Sequence, residues 1–351
     1  MHRSRFSHRL AETAYAPARW LAAAGRHGPR VLFAGVFIGL AVPALAAAAR
    51  PLMPLAVFVF TLGAFLCVER GAWAGEVARP CRFGFSLGWV VVGVPLVVLA
   101  LASPLPLPAG ARTALVLCAL GPPVGSAAAM AAMLGLRPAL ALALTIPATM
   151  VAPLTLAAAG PLLGDASLRF DAYGPMAGAL AIVTAAALAS AMLRRCATTA
   201  IRTHPEAMTG LSVLGLVVVA VGAMHGMRER LADRPAEVAA ALAIAFTANA
   251  ALQALGAALF ARRGLDTAMT VGLVSGNRNV TLVWVAVMPW LDRLPGVELY
   301  LAAAVFPIFT LPLCTARLLA CARNRFGARP AGRPTSGAPA PSPAPTQRSP
   351  T

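Results

Sequence analysis

Residues 270–289 read TVGLVSGNRNVTLVWVAVMP, a stretch that is apolar at both ends and long enough to cross a bilayer. Its centre carries the polar run SGNRN, which places Arg278 near what would be the middle of the membrane. A charged side chain there costs at least about 2.5–3.5 kcal/mol, so such residues are normally paired or functional. The stretch therefore predicts a membrane-spanning segment whose interruption has a function.

The composition of the chain is typical of a polytopic membrane protein. Hydrophobic residues make up 59% of the 351 positions, charged residues make up 12%, and the mean hydropathy is +0.76. Apolar segments of about 20 residues, the length of a transmembrane helix, alternate with short loops that carry arginine. This pattern predicts an all-α membrane protein and leaves no room for a separate soluble domain.

The net charge of +17 comes from arginines in loops and tails, without any lysine. No basic stripe interleaved with aromatic residues is present, so nucleic acid is not an expected partner. We expect the lipid bilayer, with its anionic headgroups, to be the partner of these arginines. The six cysteines have no metal-like spacing, so neither a metal site nor a cofactor is predicted.

The apolar segments predict ten transmembrane helices. They are Val31–Ala49, Leu52–Val68, Phe83–Ala102, Thr113–Leu134, Ala139–Gly160, Tyr173–Leu193, Ala207–Met224, Val238–Phe260, Thr267–Trp290 and Leu299–Ala316. With the N-terminus inside, strict alternation puts 21 arginines on the inner side and seven on the outer side, in agreement with the positive-inside rule. We therefore expect a multi-pass protein of the plasma membrane with both termini in the cytoplasm.

The segments outside the predicted spans are polar. Residues 1–30 are rich in arginine and predict a cytoplasmic arm, residues 31–320 form the transmembrane domain, and residues 326–351, rich in Pro, Ser and Ala, predict a disordered cytoplasmic tail. Residues 42–47, VPALAA, have the small-residue pattern of a signal-peptidase site. Because the apolar run continues to Ala49 and a second span follows at once, an uncleaved first helix is favoured.

The ten spans divide into two groups of five, residues 31–160 and 173–320, at an offset of about 155 positions. An odd number of spans in each group predicts two inverted repeats. The fourth span is interrupted by LGPPVGS (residues 120–126) and the ninth by SGNRN (residues 275–279). Matching breaks in two repeats point to a transport site, because a break in a membrane helix must face protein, water or a solute. The alternative is that both are ordinary kinks.

The candidate substrate-binding residues lie in or beside these two breaks. They are Pro123, Gly125, Ser126, Asn249, Gln253, Ser275, Gly276, Asn277, Arg278 and Asn279. Asn249 and Gln253 lie on one face of the eighth span, where they either line a cavity or form interhelical hydrogen bonds. Thr145, Thr149 and Thr155 are expected to bond back to their own helix. Since no span contains a His/Asp/Glu cluster or a Ser–His arrangement, no catalytic residue is predicted and the protein is not expected to be an enzyme.

Four pieces of the sequence, in their order and spacing, resemble the bile acid:sodium symporter superfamily. They are LMPLAVFVFTLG (residues 52–63), Pro95, GPPVGSAAAM (residues 121–130) and GLVSGNRNVTL (residues 272–282). The resemblance covers nearly all of residues 31–320 and implies a secondary transporter of the bacterial inner membrane that works by alternating access. It also implies a panel domain and a core domain, with the broken fourth and ninth helices crossing at the substrate and sodium sites.

The positions that ligate sodium in this superfamily are apolar here. The resemblance places them on Ala128, Ala129, Leu142, Ile146 and Val274, and it places a glutamine of the ninth-span motif on Arg278. Because a hard cation needs several oxygen ligands, we expect transport of a small organic anion without sodium coupling. In this hypothesis Arg278 replaces the charge of sodium or binds the anion directly. Alternatively, Arg278 is a structural cap on the broken helix.

Two other functions are compatible with the same sequence. An efflux permease of the arsenite branch would use a cysteine of the fourth span, near where Cys118 stands, together with a ninth-span acid that is missing here. A non-transporting membrane receptor on the same fold would usually carry a soluble signalling domain. We expect the transporter.

Overall fold

The computed structural model describes residues 19–68, 71–164 and 173–326. These residues form helices joined by turns and contain no β-strand. Within them, six helices are long and apolar enough to cross a membrane: Pro43–Cys67, Pro80–Ala102, Pro138–Ala157, Pro205–Asp233, Pro235–Leu259 and Val297–Asn324. The chain is an all-α membrane protein. Residues 1–18 of the predicted arm and 327–351 of the predicted tail lie outside the described residues.

The α-helices follow one another closely along the chain. Up to residue 164 they are α1 (Gly28–Ala41), α2 (Pro43–Ala49), α3 (Met53–Cys67), α4 (Ala72–Val77), α5 (Pro80–Gly88), α6 (Val94–Ala102), α7 (Ala109–Leu120), α8 (Ala127–Met133), α9 (Pro138–Ala157) and α10 (Ala159–Leu162). From residue 173 they are α11 (Tyr173–Cys196), α12 (Thr198–Thr203), α13 (Pro205–Gly222), α14 (Met227–Asp233), α15 (Pro235–Leu259), α16 (Leu265–Gly276), α17 (Val280–Val287) and α18 (Val297–Phe326). Residues 19–26 are also helical.

The boundary between the first two predicted spans was wrong. The prediction continued the first helix to Ala49, but α1 ends at Ala41 and a new helix begins at Pro43. That helix passes through a 3₁₀ turn at Arg50–Leu52 and continues to Cys67. Proline has no N–H and fits the first position of a helix, whereas inside a helix it removes a hydrogen bond and clashes with the preceding turn. Pro43 therefore starts a new helix at a position where the apolar pattern gave no sign of a boundary.

The third predicted span contains a π-helical segment that the sequence reasoning missed. Residues Trp89–Gly93 are π-helical and lie between α5 and α6. Short π segments within helices are rare and frequently mark functional sites. This segment contributes the carbonyl of Val90 and the indole of Trp89 to the site described below.

Helices α3 and α13 pack closely because small residues face the partner helix. A Cβ added at Gly63 would lie 2.4 Å from Ser212 Oγ, and one added at Gly215 would lie 2.6 Å from the carbonyl oxygen of Ala56. The Ser212 hydroxyl also donates to the carbonyl of Phe60 at 3.1 Å. Close backbone approach at small residues, with an interhelical hydrogen bond, is a typical way for membrane helices to associate.

Helix α18 continues beyond the predicted tenth span, Leu299–Ala316, as far as Phe326. Near its end, Arg323 pairs with Asp266 at the start of α16, with a distance of 3.0 Å between Nη2 and Oδ1. The same nitrogen donates to the carbonyl of Gly135, in the turn after α8, at 2.8 Å. These contacts hold the extra turns of α18 against the ends of two other helices, so the transmembrane unit reaches the first residue of the predicted tail.

Candidate functional site: two paired helix breaks

The first break separates α7 from α8. Helix α7 ends at Leu120, α8 begins at Ala127, and residues 121–126 between them are not helical. Pro122 and Pro123 come after Gly121, the first residue beyond the helix, and have no N–H. They therefore cannot donate to the carbonyls four residues earlier, those of Cys118 and Ala119, which need other donors.

The second break separates α16, which ends at Gly276, from α17, which begins at Val280. Asn279 is the N-cap of α17, because its side-chain oxygen accepts from the backbone N–H of Leu282 at 3.0 Å. The N–H of Asn277 still donates to the carbonyl of Leu273 at 3.0 Å, in the helical pattern. The predicted interruption at residues 275–279 thus falls between two helix ends.

The two breaks are hydrogen-bonded to each other. Pro123 and Arg278 form an antiparallel bridge. On one side of it the N–H of Val124 donates to the carbonyl of Asn277 at 2.8 Å, and on the other the N–H of Asn279 donates to the carbonyl of Pro122 at 2.8 Å. The paired residues of the bridge are 155 positions apart. At the same offset the donor Val124 corresponds to the donor Asn279, and the acceptor Pro122 corresponds to the acceptor Asn277, so the two hydrogen bonds are equivalent.

The side chain of Arg278 is buried against the first break. It is 4% exposed, and its Nη2 donates to the carbonyl of Ala119 at 2.7 Å and also to the carbonyl of Gly121. Its Nη1 donates to the carbonyl of Val90, in the π-helical segment, at 3.1 Å. Arg278 forms no ion pair with any carboxylate in the part of the chain that the structure describes. These contacts are the ones expected if Arg278 is a structural cap on the broken helix.

Thr155 is a second donor to the end of α7. Its hydroxyl lies 2.7 Å from the carbonyl oxygen of Leu120 and 3.1 Å from that of Ala152, in its own helix. The prediction that Thr155 bonds back to its own helix missed the shorter contact, whereas for Thr145 and Thr149 it is confirmed. Side chains therefore satisfy three consecutive carbonyls, at residues 119, 120 and 121, at the first break.

The charge of Arg278 lies at the C-terminal end of α7, where helix carbonyls are unpaired. Helix carbonyls at a C-terminus carry about half a negative charge in total, and a cation there is favourable by roughly 0.3–2 kcal/mol. Arg278 binds the C-terminal carbonyls of α7 and follows the last residue of α16 by two positions. The guanidinium is thus the cation at the C-terminal end of α7.

The five positions at which the resemblance would place sodium ligands carry no side-chain oxygen atoms; these positions are Ala128, Ala129, Leu142, Ile146 and Val274. Two backbone oxygens that could replace them, at Ala119 and Gly121, are already bonded to Arg278. In addition, no group of three or more His, Cys, Asp or Glu side chains suited to a metal ion occurs within residues 19–68, 71–164 and 173–326.

Asn249 and Gln253, on α15, support the second break. The side-chain amide of Asn249 donates to the carbonyl of Gly276 and to the side-chain oxygen of Asn277, both at 3.0 Å. Gln253 donates in turn to the side-chain oxygen of Asn249 at 2.6 Å. Asn249 therefore forms the interhelical bonds of one prediction and also lines a cavity, as the other prediction expected, whereas the bond of Gln253 stays within α15.

The remaining candidates differ in their surroundings. Ser275 is buried and accepts from the indole N–H of Trp89 at 2.9 Å, while its own hydroxyl donates to the carbonyl of Val271. Ser126 is 1% exposed, and its hydroxyl has no hydrogen-bond partner among the described residues. Gly125 lies beside open space, since an added Cβ would meet nothing within 4 Å. Ser275 is thus part of the scaffold, whereas Ser126 has an unused polar group.

Two cavities lie near these elements. The smaller, of about 50 Å³, is lined by Cys118, Asn249, Gly276, Arg278 and Tyr300 together with apolar side chains. The larger, of about 550 Å³, is lined on one side by Leu142 and Ile146 and on another by Ser190, Arg194 and Arg195. None of the ten candidate residues lines the larger cavity.

Comparison with models of known protein families gives no match, and a search of curated protein sequences gives none either.

Proposed function

We propose that this protein is a secondary transporter that moves a small organic anion across the bacterial inner membrane by alternating access, without sodium coupling. The observation that carries the proposal is the reciprocal pairing of two helix breaks around the buried charge of Arg278. Broken membrane helices are tolerated only where other groups satisfy their backbone, and paired breaks are the usual framework of a transporter binding site.

The pairing also supports an architecture of ten helices in two inverted repeats. The bridge joins Pro123 to Arg278 across 155 positions, the offset at which the sequence divides into two groups of five spans. Helices α3 and α13, which correspond at the same offset, pack against each other. Such contacts are expected where two repeats meet on a shared axis. In the superfamily that the sequence resembles, the protein is arranged as a panel domain and a core domain.

The proposed independence from sodium rests on the position of Arg278. In broken-helix transporters the C-terminal ends of half-helices and their free carbonyls hold the coupling cation, while half-helix N-termini face the anionic substrate. Here a guanidinium that stays protonated occupies the carbonyls of Ala119 and Gly121. Arg278 therefore supplies permanently the charge that a coupled cation would bring, and helix α17, which begins two residues later, offers the positive end of its dipole to an anion.

The test is uptake into proteoliposomes. A thermal-shift screen of the purified protein against carboxylates and sulfonates, in sodium and in potassium buffers, selects a stabilising anion, whose radiolabelled form is then offered to the vesicles. We expect equal uptake in sodium and in potassium, and loss of uptake in Arg278→Gln. Arg228→Gln, which changes an exposed arginine on another helix, is the matched control and should transport normally.

Two results would contradict the proposal. Uptake that disappears without sodium while Arg278→Gln remains active would show that a sodium ion, and not the arginine, provides the charge. Absence of uptake for every anion that stabilises the protein would argue against transport.

A second candidate function is favoured by the position of Cys118. This cysteine of α7 lines the same small cavity as Arg278, which is where an arsenite-type efflux permease would need a thiol. The measurement that separates the two functions is arsenite efflux from everted vesicles. Under the permease reading, Cys118→Ser abolishes efflux and Cys314→Ser, at an exposed cysteine, does not. Under the anion-transporter reading, wild-type vesicles move no arsenite.

A further inference from the structure

Among the described residues, the charge of Arg278 has no ionic counterpart. Its side chain is 4% exposed and bonds only to the carbonyls of Val90, Ala119 and Gly121. Carbonyl dipoles lower the energy of a buried cation but leave its net charge in place, and a buried charge without a counter-ion is strongly unfavourable. No carboxylate lies within ion-pair distance of it in the described ranges.

The guanidinium also has hydrogen-bond donors to spare. An arginine carries five N–H groups. Three of them are used on carbonyls, which leaves the Nε–H and one Nη1–H. The Nε atom is fully buried and has no partner among the residues that the structure describes. These two N–H groups lie on different edges of the planar guanidinium, so a small anion can accept from one of them, and the buried Nε–H is the one without any partner.

The cavity beside Arg278 has the size of a small anion. Its volume is about 50 Å³. Roughly 10–15 Å³ of such space holds one water molecule, so the cavity has room for an ion of about four non-hydrogen atoms. The other lining groups are largely apolar, and the amide of Asn249 already donates to the second break. Because an apolar lining makes dehydration of a doubly charged ion too costly, the site favours a monovalent one.

We propose that this cavity binds one small monovalent anion, a halide or a short carboxylate of formate size, as the counter-ion of Arg278. Binding neutralises the charge of Arg278 at the paired breaks and uses a donor, the Nε–H, that has no partner among the described residues. The inference does not need transport: a non-transporting protein with this buried arginine would require the same ion.

The test measures binding directly. Protein purified in detergent is dialysed into sodium gluconate, a salt of a bulky and strongly hydrated anion, and is titrated with radiolabelled chloride and, separately, with radiolabelled formate in a scintillation proximity assay. We expect saturable binding of one anion per chain. The probe that binds more tightly identifies the source as a halide or a carboxylate.

Two variants of the same helix locate the site. Ala248 lines the cavity and Ala250 is exposed on the outside of α15. Ala248→Leu keeps Arg278 but fills the space, and we expect its dissociation constant to rise about ten-fold or more. Ala250→Leu, the matched control, should bind as the wild type does. Arg278→Met should also lose binding, and Ala248→Leu keeps the test valid if that variant does not fold.

The inference is overturned if the wild type binds neither probe saturably, or if binding persists in Ala248→Leu, which would place the anion elsewhere, such as on surface arginines. Its failure is distinct from that of the proposed function. Chloride or formate binding without uptake of any organic anion would support this site and contradict transport. Uptake of an organic anion without saturable binding of either probe would support transport and contradict this site.

Discussion

Arg278 donates a 2.7 Å hydrogen bond to the carbonyl of Ala119, the group that Pro123 would serve in an unbroken helix if it had an N–H. An arginine from one half of the chain thus replaces a backbone donor that proline removes from the other half. The relationship explains why two prolines and one charge are tolerated in apolar spans.

Replacing Arg278 by methionine should destabilise the protein. The carbonyls of Val90, Ala119 and Gly121 would lose their donor, and each unsatisfied buried group costs about 1–3 kcal/mol. Removal of a buried charge offsets part of this, so we expect a net loss of about 2–4 kcal/mol in the free energy of unfolding, measured by titration with SDS in mixed micelles. Arg228→Met, at an exposed position, should change stability little. An Arg278→Met protein as stable as the wild type would rule out the capping role.

Replacing Thr155 by valine should remove the donor to Leu120 and lower the free energy of unfolding by about 1 kcal/mol. Thr155→Ser keeps the hydroxyl and should restore most of it. The matched control is Thr145→Val, because the Thr145 hydroxyl bonds only to Ala141 in its own helix. Equal losses for Thr155→Val and Thr145→Val would show that the hydrogen bond between helices contributes no more to the free energy of unfolding than a bond within one helix.

Gly276→Ala should disrupt the second break. The new Cβ would lie 2.5 Å from Gln253 Cγ and 2.6 Å from the carbonyl oxygen of Asn249, so α15 and α16 would have to separate. Overpacking of this kind costs about 1–3 kcal/mol, and we expect a matching loss in the SDS titration. Gly125→Ala, in the first break, meets no atom within 4 Å and serves as the control. If both variants unfold alike, close packing at Gly276 is not the cause.

The ion pair between Arg137 and Glu76 should be worth more than an exposed pair. Its Nη2–Oε1 distance is 2.5 Å and the Glu76 side chain is 17% exposed, whereas both side chains of the Arg26–Glu206 pair are more than half exposed. Double-mutant cycles with glutamine should give a coupling energy of about 1–3 kcal/mol for the first pair and less than about 1 kcal/mol for the second. Similar values would mean that burial does not strengthen the first pair.

Local pattern was enough to find the two breaks that pair, although it missed the helix boundary at Pro43. Glycine and proline at residues 121–125 and the polar run at 275–279 contradict the apolar period around them, and α7 and α16 do end there. The membrane-spanning, all-helical character followed from composition and segment length in the same way. These features depend on residues close together in the chain.

What the sequence did not predict depends on distant partners. The bond from Thr155 to Leu120 joins residues 35 positions apart, and the contact of Arg278 with Val90 spans 188. The π-helical turn at Trp89–Gly93 gave no signal in the apolar pattern, because its tryptophan and three valines simply continue the apolar run of the third span. Whether Arg278 was a cap or a ligand could not be decided without the positions of the carbonyls that it reaches.

The bond from Arg278 to Gly121 also sets an order of events during synthesis. Its two residues are 157 positions apart, so the first break leaves the ribosome roughly 8–30 s before its partner at ordinary elongation rates. During that interval the carbonyls after α7 have neither Arg278 nor the N–H of Asn279, and only water or the insertion machinery can serve them. A chain stopped before α16 would therefore keep unsatisfied backbone carbonyls in its fourth span, a feature by which quality-control proteases can recognise an unfinished chain.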